Sequence, residues 1–164
     1  MNWASNKFVR VYLVAVGKRM PAWVNEAYIE FSKRMPREMS LHLIEVEAAK
    51  RRKTANPDTM KEEEADNILR AIPNNTLKVM LDQSGKAWTT GNLSQQMADW
   101  MQMGSDVALI VGGADGLAKR CLQQANVIWS LSSLTFPHAL VRVIVAEQLY
   151  RAWTILQGHP YHRA

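Results

Sequence analysis

Three stretches of the sequence concentrate residue types suited to chemistry. Val111-Gly-Gly-Ala-Asp-Gly116-Leu is a glycine-rich turn after a buried apolar run, expected to open a helix. Its amides could cradle an anion, and its bare backbone could admit a flat ligand. Leu131-Ser-Ser-Leu-Thr-Phe-Pro-His-Ala-Leu-Val-Arg142 leads a small polar loop into a long helix behind Pro137. Ser132, Ser133 and Thr135 in it either hydrogen-bond a ligand or cap that helix. His138, at the helix start, is expected to resist charging and to serve as a neutral hydrogen-bonding group, a base or an ordinary capping histidine. The tail Gly158-His-Pro-Tyr-His-Arg-Ala164 combines two histidines, a tyrosine and an arginine, types suited to base stacking and phosphate contact.

Other chemistries are excluded by spacing. Val111 stands where a dinucleotide-binding turn needs its first glycine, and no Gly-Lys-Ser/Thr follows the turn as a phosphate-binding loop requires. The tail histidines have no acidic or cysteine partners at ligand spacing, so no metal site is assigned. Glu147 and Arg151 stand four apart in the favourable order, which reads first as an ordinary helical ion pair.

These stretches need a scaffold. Residues 8–16, Phe-Val-Arg-Val-Tyr-Leu-Val-Ala-Val, read as a central strand ending at Gly17, and residues 21–34 as a helix behind Pro21. A second strand at 41–46 precedes a basic loop at 48–56 around Lys50-Arg-Arg-Lys53 and a helix at 58–71. Short buried strands follow at 78–81, 107–111 and 127–130, with helices at 93–103 and 117–124 between them. The alternation predicts an α/β fold, a mostly parallel sheet with helices on both faces. The last helix, 138–157, is apolar over more than half its circumference, so a second subunit is expected to cover part of it.

Composition agrees with a single folded domain. The chain has 164 residues, 48% hydrophobic and 21% charged, and its net charge of +5 favours an anionic partner such as RNA. One cysteine, Cys121, rules out an intrachain disulfide framework and fits a reducing compartment. No secretory signal and no unbroken membrane-length apolar run is present, which predicts a cytoplasmic protein without membrane attachment.

Taken together, the motifs resemble a known family. Val14-Ala-Val-Gly-Lys18, Leu109-Ile-Val-Gly-Gly-Ala-Asp-Gly-Leu117, Ser130-Leu-Ser-Ser-Leu-Thr-Phe-Pro-His138, Arg142 with Val-Ala-Glu-Gln-Leu-Tyr-Arg-Ala-Trp153, and His159-Pro-Tyr-His-Arg163 occur in order and at spacings similar to those of the ribosomal RNA large-subunit methyltransferase H family of the SPOUT superfamily. The resemblance covers a single domain over residues 8–164 and leaves 1–7 as an extension. It implies a deep C-terminal trefoil knot, an exception to unthreaded topology, and a homodimer. It also implies S-adenosylmethionine as cofactor and methylation of the N3 nitrogen of a pseudouridine in 23S ribosomal RNA, with the assembled ribosome as the expected context. The cofactor-binding positions it implies are Leu81, Gly112, Leu131, Ser132, Ser133, Leu134, Thr135 and Phe136. Motif match and residue chemistry together make His138, Arg142, Tyr161, His162 and Arg163 the candidates for handling substrate, with no general base assigned. The competing readings are a noncatalytic RNA-binding module, favoured by the basic loop and tail, and another nucleotide-binding α/β enzyme.

Overall fold

Hydrophobic alternation along the first strand sets the architecture. A computed structural model of the protein describes residues 8–51, 53–54 and 56–163. The expected extension at 1–7 and Arg52 of the basic loop lie outside the described residues. In β1 (Val9–Val16), Val9, Val11, Leu13 and Ala15 face one apolar cluster, and Val14 and Val16 face another. A strand buried on both faces needs helices on both. The first cluster is closed by α1 (Ala22–Ser32), α3 (Thr90–Met103) and α5 (His138–Leu156), and the second by α2 (Pro57–Ala71) and α4 (Lys119–Gln123).

The remaining strands are β2 (Met39–Val46), β3 (Thr76–Ala87), β4 (Asp106–Val111) and β5 (Val127–Ser130), in the order β2-β1-β4-β3-β5. All pairings are parallel, so the C-terminal ends of the strands share one edge. The expected α/β fold is therefore observed, with two differences in its elements.

β3 runs past the expected 78–81 to Ala87. Its register with β5 breaks between Leu81 and Lys86 and resumes with Lys86 opposite Trp129 and Ala87 opposite Ser130. Asp82-Gln83-Ser84-Gly85 has the composition of a turn, but here it is an excursion within a strand. Gly85 belongs in it because a Cβ there would stand 2.5 Å from the Ile128 carbonyl. The helix expected at 117–124 is confined to Lys119–Gln123, because Leu117 and Ala118 are spent on burial, with Ala118 extended at its N-cap. The glycine turn consequently does not open directly onto a helix.

α5 finds much of its second layer inside the same chain. It packs between α1 and α3, and Val145, Ala146, Leu149 and Ala152 join the sheet-side cluster. Apolar excess on α5 thus requires less cover from a second subunit than its sequence implies.

Candidate functional site

Two cavities open beside each other at the C-terminal edge of the sheet. The first, of about 760 Å³, is enclosed by three segments: Leu81 to Gln83 at the excursion within β3, Val111 to Gly116 leaving β4, and the stretch from Ser130 through Val141 that leaves β5 and enters α5. Crevices at strand C-termini are where open parallel sheets bind ligands. Of the cofactor positions implied by the resemblance, Leu81, Gly112, Leu131, Ser132, Leu134, Thr135 and Phe136 line this cavity. Ser133 is exposed and lies off its wall.

The hydroxyls of the 131–136 loop do not cap α5. Its N-cap is Pro137, with no side-chain cap. Ser132 Oγ instead accepts from the Leu134 amide at 3.0 Å, shaping the loop itself, and Thr135 Oγ1 accepts from Gln83 Nε2 at 2.9 Å. That second bond joins the β3 excursion to the β5–α5 loop across the mouth of the cavity. Leu134 is 69% exposed, a large apolar side chain standing free at the rim.

Gly112 has a different reason to be glycine from the one its turn suggests. A Cβ there would meet the Gly116 carbonyl carbon at 2.7 Å and oxygen at 2.8 Å, so the turn folds back on its own backbone. The Gly116 amide donates to the Gly113 carbonyl at 3.0 Å to close it. Gly116 also lines the cavity, and a Cβ there would meet nothing within 4 Å.

The second cavity, of about 650 Å³, is lined by charge. Lys18, Arg19 and Met20 come from the β1–α1 turn, Glu47 and Arg51 from the loop after β2, and Met60 and Glu64 from α2. Gly113, Ala114, Asp115 and His138 line both cavities and form the seam between them. His138 has its proton affinity lowered, first by burial and then by the positive charges of Arg142 and Arg51. Burial, rather than the helix terminus, is the leading cause.

Arg142 is not open to a substrate in this chain. Its side chain is 1% exposed, and its guanidinium donates to Glu45 Oε2 at 2.8 Å, to the Gly17 carbonyl at 2.6 Å and to the Val16 carbonyl at 3.2 Å. It ties the start of α5 to the end of β1. Gly17, at φ 110°, is the left-handed pivot from which Lys18 and Arg19 reach the charged cavity.

The tail lies elsewhere. Pro160–His162 form a 3-10 turn folded back along the second half of α5, with the Tyr161 ring 4.7 Å from that of Tyr150 and the Arg151 guanidinium 5.2 Å from the Tyr161 centroid. Tyr161 Oη donates to Glu147 Oε1 at 3.2 Å, and the same oxygen accepts from Arg151 Nε at 2.8 Å. The expected Glu147–Arg151 pair thus also holds the tail. Neither Tyr161, His162 nor Arg163 lines either cavity. Tyr161 folds back beside Glu147, so at 1.5 Å per residue it stands roughly 14 Å along α5 from His138.

Sequence reading missed the charged cavity. Lys18 and Arg19 follow a glycine pivot at a strand end, which is one available signal. Glu64 carries another: Met60, Glu64 and Ile68 lie four apart on one helix face, and all three are buried, so a carboxylate stands on an apolar stripe.

The chain is similar throughout its length to known proteins. Residues 9–162 match the family model described as a predicted SPOUT methyltransferase. The ribosomal RNA large subunit methyltransferase H of Hahella chejuensis is 55% identical over 155 residues, covering 94% of this chain and 99% of that protein. The protein of the same name from Thioalkalivibrio sulfidiphilus is 54% identical over equal shares. Among solved structures, a probable methyltransferase from Bordetella pertussis matches with a TM-score of 0.55 at 17% identity, covering 90% of this chain and 98% of that one. A putative methyltransferase from Legionella pneumophila, described in complex with bound cofactor SAM, matches with a TM-score of 0.50 at 12% identity, covering 88% of this chain and 66% of that one.

Proposed function

The chain belongs to the SPOUT methyltransferase family, and from that premise we propose that it transfers a methyl group from S-adenosylmethionine to the N3 nitrogen of a pseudouridine in 23S ribosomal RNA. The observation that carries the reading is the convergence of Leu81, Gly112 and the 131–136 loop on one cavity beside a second that carries both cations and carboxylates. The first is within the size range of small-molecule sites. Leu81, Leu131, Phe136 and Val141 offer apolar walls to a flat base, while Ser132, Thr135 and the backbone of the glycine turn offer polar partners. Those residues fit the cofactor, and the open space at Gly116 leaves room against the backbone.

S-adenosylmethionine supplies a methyl carbon already made electrophilic by its sulfonium, so the protein's task is alignment rather than activation. Lys18, Arg19 and Arg51 bind the phosphates of the acceptor strand. His138, neutral at the seam, hydrogen-bonds the acceptor base. Arg142 acts by holding the Gly17 pivot. The trefoil knot belongs to the same reading, as does a cytoplasmic location.

The tail is read as serving a second copy. Tyr161, His162 and Arg163 line neither cavity of their own chain, and in a homodimer they would handle substrate in the other subunit's site. Methyl transfer from labelled cofactor to naked ribosomal RNA, isolated large subunits and whole ribosomes, with the modified nucleotide mapped, tests the proposal. Label at a pseudouridine N3 in assembled particles is the expected result; label at another atom or none defeats it.

A further inference from the structure

Buried carboxylates are normally paired, and Glu64 is not. Its residue is 7% exposed, and no cation forms a salt bridge with it among the described residues. Oε2 accepts one hydrogen bond, from the Ala49 amide at 2.9 Å. Oε1 stands against the seam: a Cβ on Gly113 would lie 2.9 Å from Oε1 and 3.2 Å from Oε2. The second glycine of the turn therefore has a reason of its own. It leaves space for a carboxylate to abut the residue that lines both cavities. The carboxylate is thus largely buried yet reachable from the cavity, with no cation paired to it among the described residues, and such a group calls for a use.

On the reading that the acceptor is an imino nitrogen, we infer that Glu64 is the proton acceptor of the methyl transfer. The acceptor base enters the charged cavity with its N–H directed at Oε1. The N–H bond breaks and its proton goes to the carboxylate. The electron pair left on nitrogen forms the bond to the methyl carbon, and the pair of the methyl–sulfur bond stays with sulfur, which loses its positive charge. Glu64 leaves the step as a neutral acid and returns its proton to water through the open side of the cavity. The surroundings favour this. Burial raises the proton affinity of Glu64, and Asp115 adds to the effect, with Arg51 opposing. The other charged groups lining this cavity are Lys18, Arg19, Glu47 and His138, and Glu63 lies beside Glu64 on α2.

Glu64→Gln separates chemistry from structure, because its amide oxygen can still accept from Ala49 while the group can no longer take a proton. The expected single-turnover transfer to ribosomes falls by about 10²-fold or more near neutral pH. S-adenosylmethionine affinity by calorimetry and protection of the Ala49 amide from hydrogen exchange stay at wild-type levels. The deficit closes as the solution is made alkaline and the imino group ionises unaided, and Glu64→Asp restores part of the neutral-pH rate. In the cofactor-free protein a raised carboxyl pKa stabilises the fold below the unfolded pKa and loses that contribution as pH rises through the folded one. Urea unfolding should accordingly show Glu64→Gln gaining stability relative to wild type as pH rises above the ordinary glutamate value of about 4.3. A wild-type rate in the glutamine variant, or a deficit equal at every pH, overturns the assignment. Absence of transfer by the wild-type protein overturns the functional reading instead.

Discussion

The two neighbouring cavities are built by different means. One is walled chiefly by backbone turns and apolar side chains, with glycines folded against their own chain. The other adds to its apolar and backbone walls lysine, arginine and glutamate side chains from three separate segments. A backbone-built cavity selects by shape and is sensitive to added atoms but tolerant of charge changes nearby. A side-chain-built one selects by charge and responds to salt. They share only Gly113, Ala114, Asp115 and His138, so substitutions elsewhere should affect one ligand and spare the other.

The largest effect is expected behind both cavities, where α5 is tied to the end of β1. Arg142→Met removes the donor to Glu45 and to the Val16 and Gly17 carbonyls, leaving buried acceptors unmet. Because Glu45 is partly exposed, the loss should be about 2–3 kcal/mol, below the full cost of breaking a buried pair. Denaturant unfolding reads it; a midpoint within error of wild type would remove Arg142 from its structural role and return it to the substrate.

Gly112→Ala comes next and tests the backbone-built side. Its Cβ would press on the Gly116 carbonyl, and overpacking of this kind costs about 1–3 kcal/mol. Calorimetry should find S-adenosylmethionine bound about 10- to 100-fold more weakly, with affinity for ribosomal RNA unchanged. Equal losses for both ligands would mean that the cavities act as one.

Lys18→Ala probes the other side. Losing one phosphate contact should weaken RNA binding several-fold and reduce the slope of log affinity against log salt by roughly one. Cofactor affinity should be untouched. A changed cofactor affinity with an unchanged salt slope would place Lys18 in the wrong cavity.

The smallest effect concerns His138 at the seam. Its folded pKa is depressed, so the unfolded chain takes up a proton first as pH falls below about 6.5, and the stability present above that value is lost. His138→Gln should flatten that part of the stability profile as pH falls below about 6.5. An identical profile in the variant would show that the ring is solvated and does not form the seam.

Legibility in the sequence differed between the same two regions. The glycine turn and the 131–136 loop could be picked out because their residue types are unusual over a short run. Lys18, Arg51 and Glu64 are ordinary residues in ordinary helices and loops, distant in the chain, and each alone reads as solvated surface. Glu64 in particular follows Glu62 and Glu63, and only its position on the Met60–Ile68 stripe distinguishes it.

By itself the sequence determined the layered α/β fold, because strands buried on both faces and amphipathic helices leave a periodic record in hydrophobicity. It also determined the order of the motifs on which the family resemblance rests. Tertiary structure alone decided which charges face a cavity and which are consumed in holding it. Arg142 and Glu64 show why: both were available to solvent or to substrate as far as residue type can say. Packing of α5 against β1 buries the arginine beside two carbonyls, while packing of α2 beneath the glycine turn leaves the carboxylate unpaired at the seam. Pairing depends on distances between segments far apart in the chain, and periodicity carries no information about them.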